Sequence, residues 1–200
     1  MSFALLTMGS VMHWCKRAFD IFFSLLLILL LSPLLIALAI AIKLGSRGQV
    51  LHWSKRVGRS NEFFFMPKFR SMRIDAPQLP THLLADPTAY LTWIGGFLRR
   101  TSLDELPQLW SILKGDLSFV GPRPALFNQD DLVALRTERG IHILVPGLTG
   151  WAQVNGRDEL PIPVKVQFDF EYLKRQSLQF DLAIICMTIG KVLHQEGVHH

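Results

Sequence analysis

Cysteine is scarce in this sequence: only Cys15 and Cys186 occur among 200 residues. Neither belongs to a CxxC pair or a Cys/His cluster. That excludes a disulfide framework, argues against a zinc site and fits a reducing compartment. The seven histidines (13, 52, 82, 142, 194, 199 and 200) show no metal-ligand spacing. There is no glycine-rich phosphate loop of the Walker or dinucleotide kind, and no GxSxG nucleophile elbow. Internal repeats and low-complexity tracts are absent too. Charge is sparse, at 18% of residues against 50% hydrophobic, which excludes a disordered chain. The charge that exists leans one way: 21 Lys and Arg face 16 Asp and Glu, a net of +5. Such a balance suits phosphates, nucleotides, nucleic acid or an acidic membrane surface. Nucleic acid is not the expected partner, because no helix-turn-helix or RNA-binding motif accompanies the charge.

The apolar residues are concentrated. Asp20 and Lys43 bracket a run of 22 residues, 21–42, that holds no charge. As a helix it reaches about 33 Å, enough to cross a hydrocarbon core. Ser32-Pro33 lies in its middle. Proline has no N–H, so the Leu29 carbonyl loses its helical partner, and the ring presses on that turn. A freed carbonyl in lipid is costly unless satisfied, and Ser32 can bond back to a preceding carbonyl. The expectation is a helix bent or broken at Ser32-Pro33. A cleaved signal peptide fits poorly, since its apolar core is roughly 7–15 residues. A spanning helix and a re-entrant one, which enters and leaves on the same face, both remain open. Lys16 and Arg17 precede the run, and Lys43 and Arg47 follow it, so both ends carry the positive charge that favours the cytoplasmic side. The chain therefore divides into 1–43, with the membrane helix, and 44–200, a globular part.

In the globular part, residues 49–53 and 62–69 read as strands around a turn-rich stretch at 57–61, a hairpin whose second strand is irregular or an edge because of Pro67. Residues 83–100 end in an amphipathic stretch that packs a core or lies at the membrane interface with Trp93 at headgroup level. Residues 178–194 pose the same choice, and 165–175 read as a helix. A further helix is expected over 102–114. Ser102 suits its N-cap, Glu105 completes a capping box, Leu106, Leu109, Trp110 and Leu113 form one stripe, and Gly115 stops it.

The candidate chemistry is carried by a few polar groups. Asp104 and Glu105 sit in the first turn of the helix expected over 102–114, where both are explained by capping and by the positive helix end. The alternative is functional: paired carboxylates beside Arg99 and Arg100 can hold a divalent cation against phosphates, or one can attack phosphorus. In Pro122-Arg123-Pro124, two prolines fix the backbone on either side of one arginine, a rigid loop or a preset guanidinium aimed at a phosphate. Asn155-Gly156-Arg157 is a turn carrying another arginine. Lys68, Arg70 and Arg73 add basic groups after the aromatic strand.

Taken in order, the segments KRAFDIFFSLLLILLLSPLLIALAIAIKLGSRGQVL, KRVGR, PKFRSMRID, RRTSLDELPQLWSILKGDLSFVGPRP and VPGLTGWAQVNGR resemble the bacterial sugar transferases, the monotopic polyprenyl-phosphate phosphoglycosyl transferases. The resemblance covers about residues 15–198 and points to the small catalytic-core form. It implies an α+β fold: an N-terminal re-entrant membrane helix broken at Ser32-Pro33, and a small mixed α/β catalytic domain with amphipathic interfacial helices. It implies a nucleophile at Asp104, a magnesium ion positioned by Glu105 with Asp104, and a nucleotide site at Pro122, Arg123 and Pro124. Lys68, Arg70, Arg99 and Arg157 fall in motifs resembling the family's phosphate-binding surround. One departure is Ser60-Asn61-Glu62, where many relatives have Gly-Lys. The implied substrates are a UDP-sugar and polyprenyl (undecaprenyl) phosphate, the implied place is the cytoplasmic face of the bacterial inner membrane, and the implied product starts glycan assembly. Membrane lipids are expected partners, and a homodimer is compatible with the apolar surface. The rivals are a non-catalytic anchor that binds anionic lipids, a tethered nucleic-acid-binding protein, and a transferase that moves the sugar alone and releases UDP.

Overall fold

The computed structural model describes residues 2–76, 88–156 and 160–193. Its longest element is α1, Ser2–Gly45, a single helix that runs on through Pro33. The break expected at Ser32-Pro33 does not interrupt it. The reason is local: Ser32 Oγ donates to the Leu29 carbonyl at 2.8 Å, replacing the partner that proline removes.

One stripe of α1 faces the rest of the chain. Asp20, Ser24, Leu38 and Ile42 are buried. Leu27, Ile28 and Leu31 pack on Met66, Leu109, Ile112 and Leu117, while Leu35 and Ala39 join Leu38, Ile42, Phe69 and Leu98. The opposite face is apolar and open, with Leu29 75% and Leu30 69% exposed. Charges fasten both ends of the stripe. Lys16 Nζ donates to the Val120 carbonyl at 2.9 Å and pairs with Asp181 at 2.5 Å. Arg17 donates to the Ile112 and Leu113 carbonyls at 2.7 and 2.6 Å, at the C-terminal end of the helix that closes at Lys114. Asp20 accepts from Ser118 Oγ and the Phe119 N–H, each at 3.1 Å. At the far end, Arg70 donates to the Ser46 and Arg47 carbonyls. Lys16 and Arg17, which the sequence offers as membrane-flanking charges, are thus half-buried and tied to the globular part.

Strands β1 (Leu51–Val57) and β2 (Phe63–Phe69) form the expected antiparallel hairpin, in register from Leu51↔Phe69 to Val57↔Phe63. With two strands in the sheet among the described residues, Pro67 costs no second ladder. The connecting turn puts Ser60 and Asn61 in the left-handed region, φ 55° and 62°. Asn61 tolerates it well and donates to Thr137 Oγ1 at 3.0 Å.

The helix expected over 102–114 is divided. Ser102 is left-handed at φ 56° and caps nothing with its side chain. A 3-10 turn, Leu103–Glu105, follows, and then α3, Gln108–Lys114. Pro107 is the cause: it has no N–H to give the Leu103 carbonyl, its ring crowds that turn, and it stands as the cap of a new helix. Leu109 and Ile112 form the buried stripe, while Trp110 is 54% exposed. The capping box therefore does not form, and Glu105 is free to point elsewhere. Just before it lies the short α2, Gly95–Arg100, with Trp93 and Phe97 exposed beside it. Leu83 and Leu84, read as part of that stretch, lie outside the described residues.

Strand β3 (Ser118–Val120) pairs in parallel with β4 (Gly147–Thr149) across α4 (Asp130–Glu138). Gly147 permits that pairing: a Cβ there would lie 2.0 Å from the Gly121 nitrogen. Then come α5 (Trp151–Val154), α6 (Ile162–Arg175) and α7 (Leu178–Leu193), as the sequence pattern of the last two anticipates. They close a core of Val120, Leu132, Ile141, Val166, Tyr172 and Ile184.

Candidate active site

The hairpin, the 3-10 turn and the loop after β3 meet around two carboxylates. Strand alternation places His52, Ser54 and Arg56 on one face of β1, opposite Phe64, Met66 and Lys68 on β2. From that face Lys68 Nζ donates to Glu105 Oε1 at 2.7 Å. Arg123 Nη2 comes within 3.8 Å of the same oxygen. Arg99 lies near enough to Asp104 for its charge to be felt there, and its Nε donates to Ser71 Oγ at 2.9 Å.

The environment separates the two carboxylates. Burial pushes Asp104 up to about 6, Glu105 beside it adds to the rise, and Lys68 and Arg99 oppose it. Burial pulls Glu105 upward too, but Lys68, Arg123 and Arg56 outweigh it and hold Glu105 at about 2. Neighbouring acids pushed apart in this way can take different roles. Glu105 remains a carboxylate at every ordinary pH. Asp104 is a more basic oxygen, ionised above about 6, and so a better nucleophile than an ordinary aspartate. Burial, with Lys68 and Arg56, also holds His52 below its usual range.

Around the pair stand Lys68, Arg56, Arg99 and Arg123, four cations against two carboxylates. The excess positive charge suits an anion with more than one negative charge. Pro122 and Pro124 frame Arg123 as expected. Arg70 is placed differently: its guanidinium is committed to the end of α1, including a 2.7 Å bond to Ser46 Oγ, so it clasps that long apolar helix instead of joining the pair. Arg157 lies outside the described residues. Sequence reading passed over Arg56, although the His52-x-Ser54-x-Arg56 alternation was there to find.

Among the described residues, no group of three or more His, Cys, Asp or Glu could hold a metal ion. Two adjacent carboxylates are nonetheless a suitable donor set for magnesium, which commonly takes one or two carboxylates and completes its shell with waters and substrate phosphates.

The sequence profile of the family described as bacterial sugar transferase matches residues 11–195. An undecaprenyl-phosphate glucose phosphotransferase of Komagataeibacter xylinus is 42% identical over 88% of this chain and 35% of its own length. A UDP-glucose:undecaprenyl-phosphate glucose-1-phosphate transferase of Escherichia coli is 38% identical over 92% of this chain and 41% of its own length. A Bacillus subtilis protein described as an uncharacterized sugar transferase is 38% identical over 92% of this chain and 89% of its own length. The chain thus spans about two fifths of the first two relatives and most of the third.

Proposed function

The chain belongs to the bacterial sugar transferase family, and from that premise we propose that it transfers a sugar 1-phosphate from a UDP-sugar to polyprenyl phosphate through a covalent intermediate on Asp104. The separation of the two carboxylates carries this reading. One is pinned as a permanent anion and the other is raised toward neutrality inside a ring of cations.

An Asp104 carboxylate oxygen attacks the sugar-bearing phosphorus of the donor. The bond from that phosphorus to the bridging oxygen breaks, and UMP leaves with the electron pair. An oxygen of polyprenyl phosphate then attacks the same phosphorus, the Asp104–phosphorus bond breaks, and the carboxylate is restored. The product is a polyprenyl-diphosphate sugar, the starting point for membrane-associated glycan assembly. Two anions meet at phosphorus in each step, and Arg99, Arg123, Arg56 and Lys68 screen them. Bound through Glu105 and Asp104, magnesium supplies further neutralisation of the diphosphate. One covalent relay lets a single site serve two substrates in turn.

The acceptor phosphate sits at lipid headgroups, so the site must be held there. The proposed place is monotopic, at the cytoplasmic face of the bacterial inner membrane, and the attachment of α1 supports its one-sided part. Lys16 at one end of the apolar run and Ser46 at the other are both tied to the same globular part, which keeps both ends on one side. The open apolar face of α1 then meets lipid.

Mixing the protein with undecaprenyl phosphate, magnesium and a panel of UDP-sugars tests the reading. UMP release with one donor is expected. UDP release would mean transfer of the sugar alone and would overturn it.

A further inference from the structure

Resting on that function, a second buried ion pair lies behind the site. Arg136 on α4 and Asp169 on α6 are 8% and 1% exposed. Arg136 Nε and Nη2 both donate to Asp169 Oδ2, at 2.9 and 2.6 Å. The remaining arm, Nη1, donates to the Arg123 carbonyl at 2.8 Å. This is an expensive way to fill a core, since burying such a pair often contributes nothing net to stability. What it does accomplish is geometric.

The loop after β3 has little freedom left. Proline fixes φ at 122 and 124, and a residue before proline is itself restricted. The Pro122 carbonyl accepts from the Gly147 N–H at 2.9 Å, and the Pro124 carbonyl accepts from Arg56 Nη1 at 3.4 Å. Between them, the orientation of the Arg123 peptide is the remaining variable, and Arg136 holds its oxygen. Arg123 is also the loop's contribution to the charge around Glu105. We propose that Arg136 and Asp169 are positioning residues that fix the Arg123 backbone and so aim its guanidinium at the phosphates of the donor. Asp169 orients the guanidinium of Arg136, and the spare arm of that guanidinium orients the loop. Neither touches the reacting atoms.

The role can be separated from stability. Replacing both partners at once, Arg136→Met with Asp169→Leu, leaves no unpaired charge and should fold. That variant is expected to keep a near-native melting temperature yet release UMP about ten- to a hundredfold more slowly, the scale of a misplaced catalytic group. Arg136→Lys, which keeps the charge beside Asp169 but loses the fork, should show the same defect and provides a second folded variant. Adding either change to Arg123→Ala should cost nothing further, because the effect runs through Arg123. Native rates in the paired variant, or losses that add to that of Arg123→Ala, would overturn the proposal. A readout independent of turnover is the NMR order of the Arg123 side-chain Nε–H. It is expected to be rigid in the parent and mobile in both variants, and an unchanged signal would also overturn the proposal. If the unmutated protein releases no UMP from any donor, the transferase reading fails; the NMR arm still decides the positioning role.

Discussion

Asp104→Asn is expected to lower UMP release by about a thousandfold or more, the scale seen when a covalent nucleophile is removed, and to stabilise the fold at the same time. Asparagine cannot form the phosphosugar ester, so the relay has no first step. The stability gain follows from the raised carboxyl. Burial lifts Asp104 from 3.8 to about 6, so the folded state holds that proton more tightly than the unfolded chain does. The penalty for ionising it is absent below the ordinary carboxylate range and complete above about pH 6. Discounted for its partial exposure, the penalty is about 1–2 kcal/mol. Asparagine carries no charge and escapes it. The melting temperature of the variant, measured without magnesium, should match that of the parent near pH 4 and exceed it by several degrees near pH 7.5. A variant less stable at both values would remove the case for a strained nucleophile. Active sites that hold a destabilised group commonly show this exchange of stability for activity.

Lys16→Met is expected to destabilise the protein by about 3–5 kcal/mol, because it leaves the partners of a buried charge uncompensated. Asp181 loses its ion pair, and the Val120 carbonyl loses its Lys16 donor. Tyr172 Oη gives its one proton to Asp181 at 2.7 Å and accepts from Lys16, so three groups from different elements are knotted to one ammonium. Since Val120 leads directly into the Pro122–Pro124 loop, the activity of any folded fraction should fall with it. Lys43 is the control. It flanks the other end of the apolar run but, among the described residues, donates only to the Gly48 carbonyl, at 3.3 Å on the surface, and Lys43→Met should change stability by less than about 0.5 kcal/mol. Equal, small effects from the two lysines would mean that Lys16 acts as a membrane-flanking charge after all. Thermal unfolding of both variants in the same detergent makes the comparison.

The two lysines show where sequence reading stops. The apolar run, the hairpin and helices α6 and α7 follow from local pattern, and so does the Ser32 bond to the Leu29 carbonyl, because each depends on residues close in the chain. The role of Lys16 depends on Asp181, 165 positions away, and no periodicity reports it. The capping box at Ser102 was a fair local inference that Pro107 overrode. That failure is informative: Glu105, released from capping, reaches across to Lys68. The adjacency of Asp104 and Glu105 was visible as a motif, but their opposite pKa shifts arise from burial and from cations on β1, β2 and the loop after β3. Arg70 and Arg56 exchanged expectations for the same reason. A basic residue in sequence is a candidate for any anion, and only the fold tells which carbonyl or carboxylate it meets.

The most direct test is the mass of the intact protein after mixing with magnesium and the donor that supports turnover, with no polyprenyl phosphate present. The account predicts a gain of one sugar phosphate per chain, mapped by peptide analysis to Asp104, absent from Asp104→Asn and discharged when the acceptor is added. UMP release on adding the acceptor without any adduct before it, or an adduct that persists in Asp104→Asn, would contradict it.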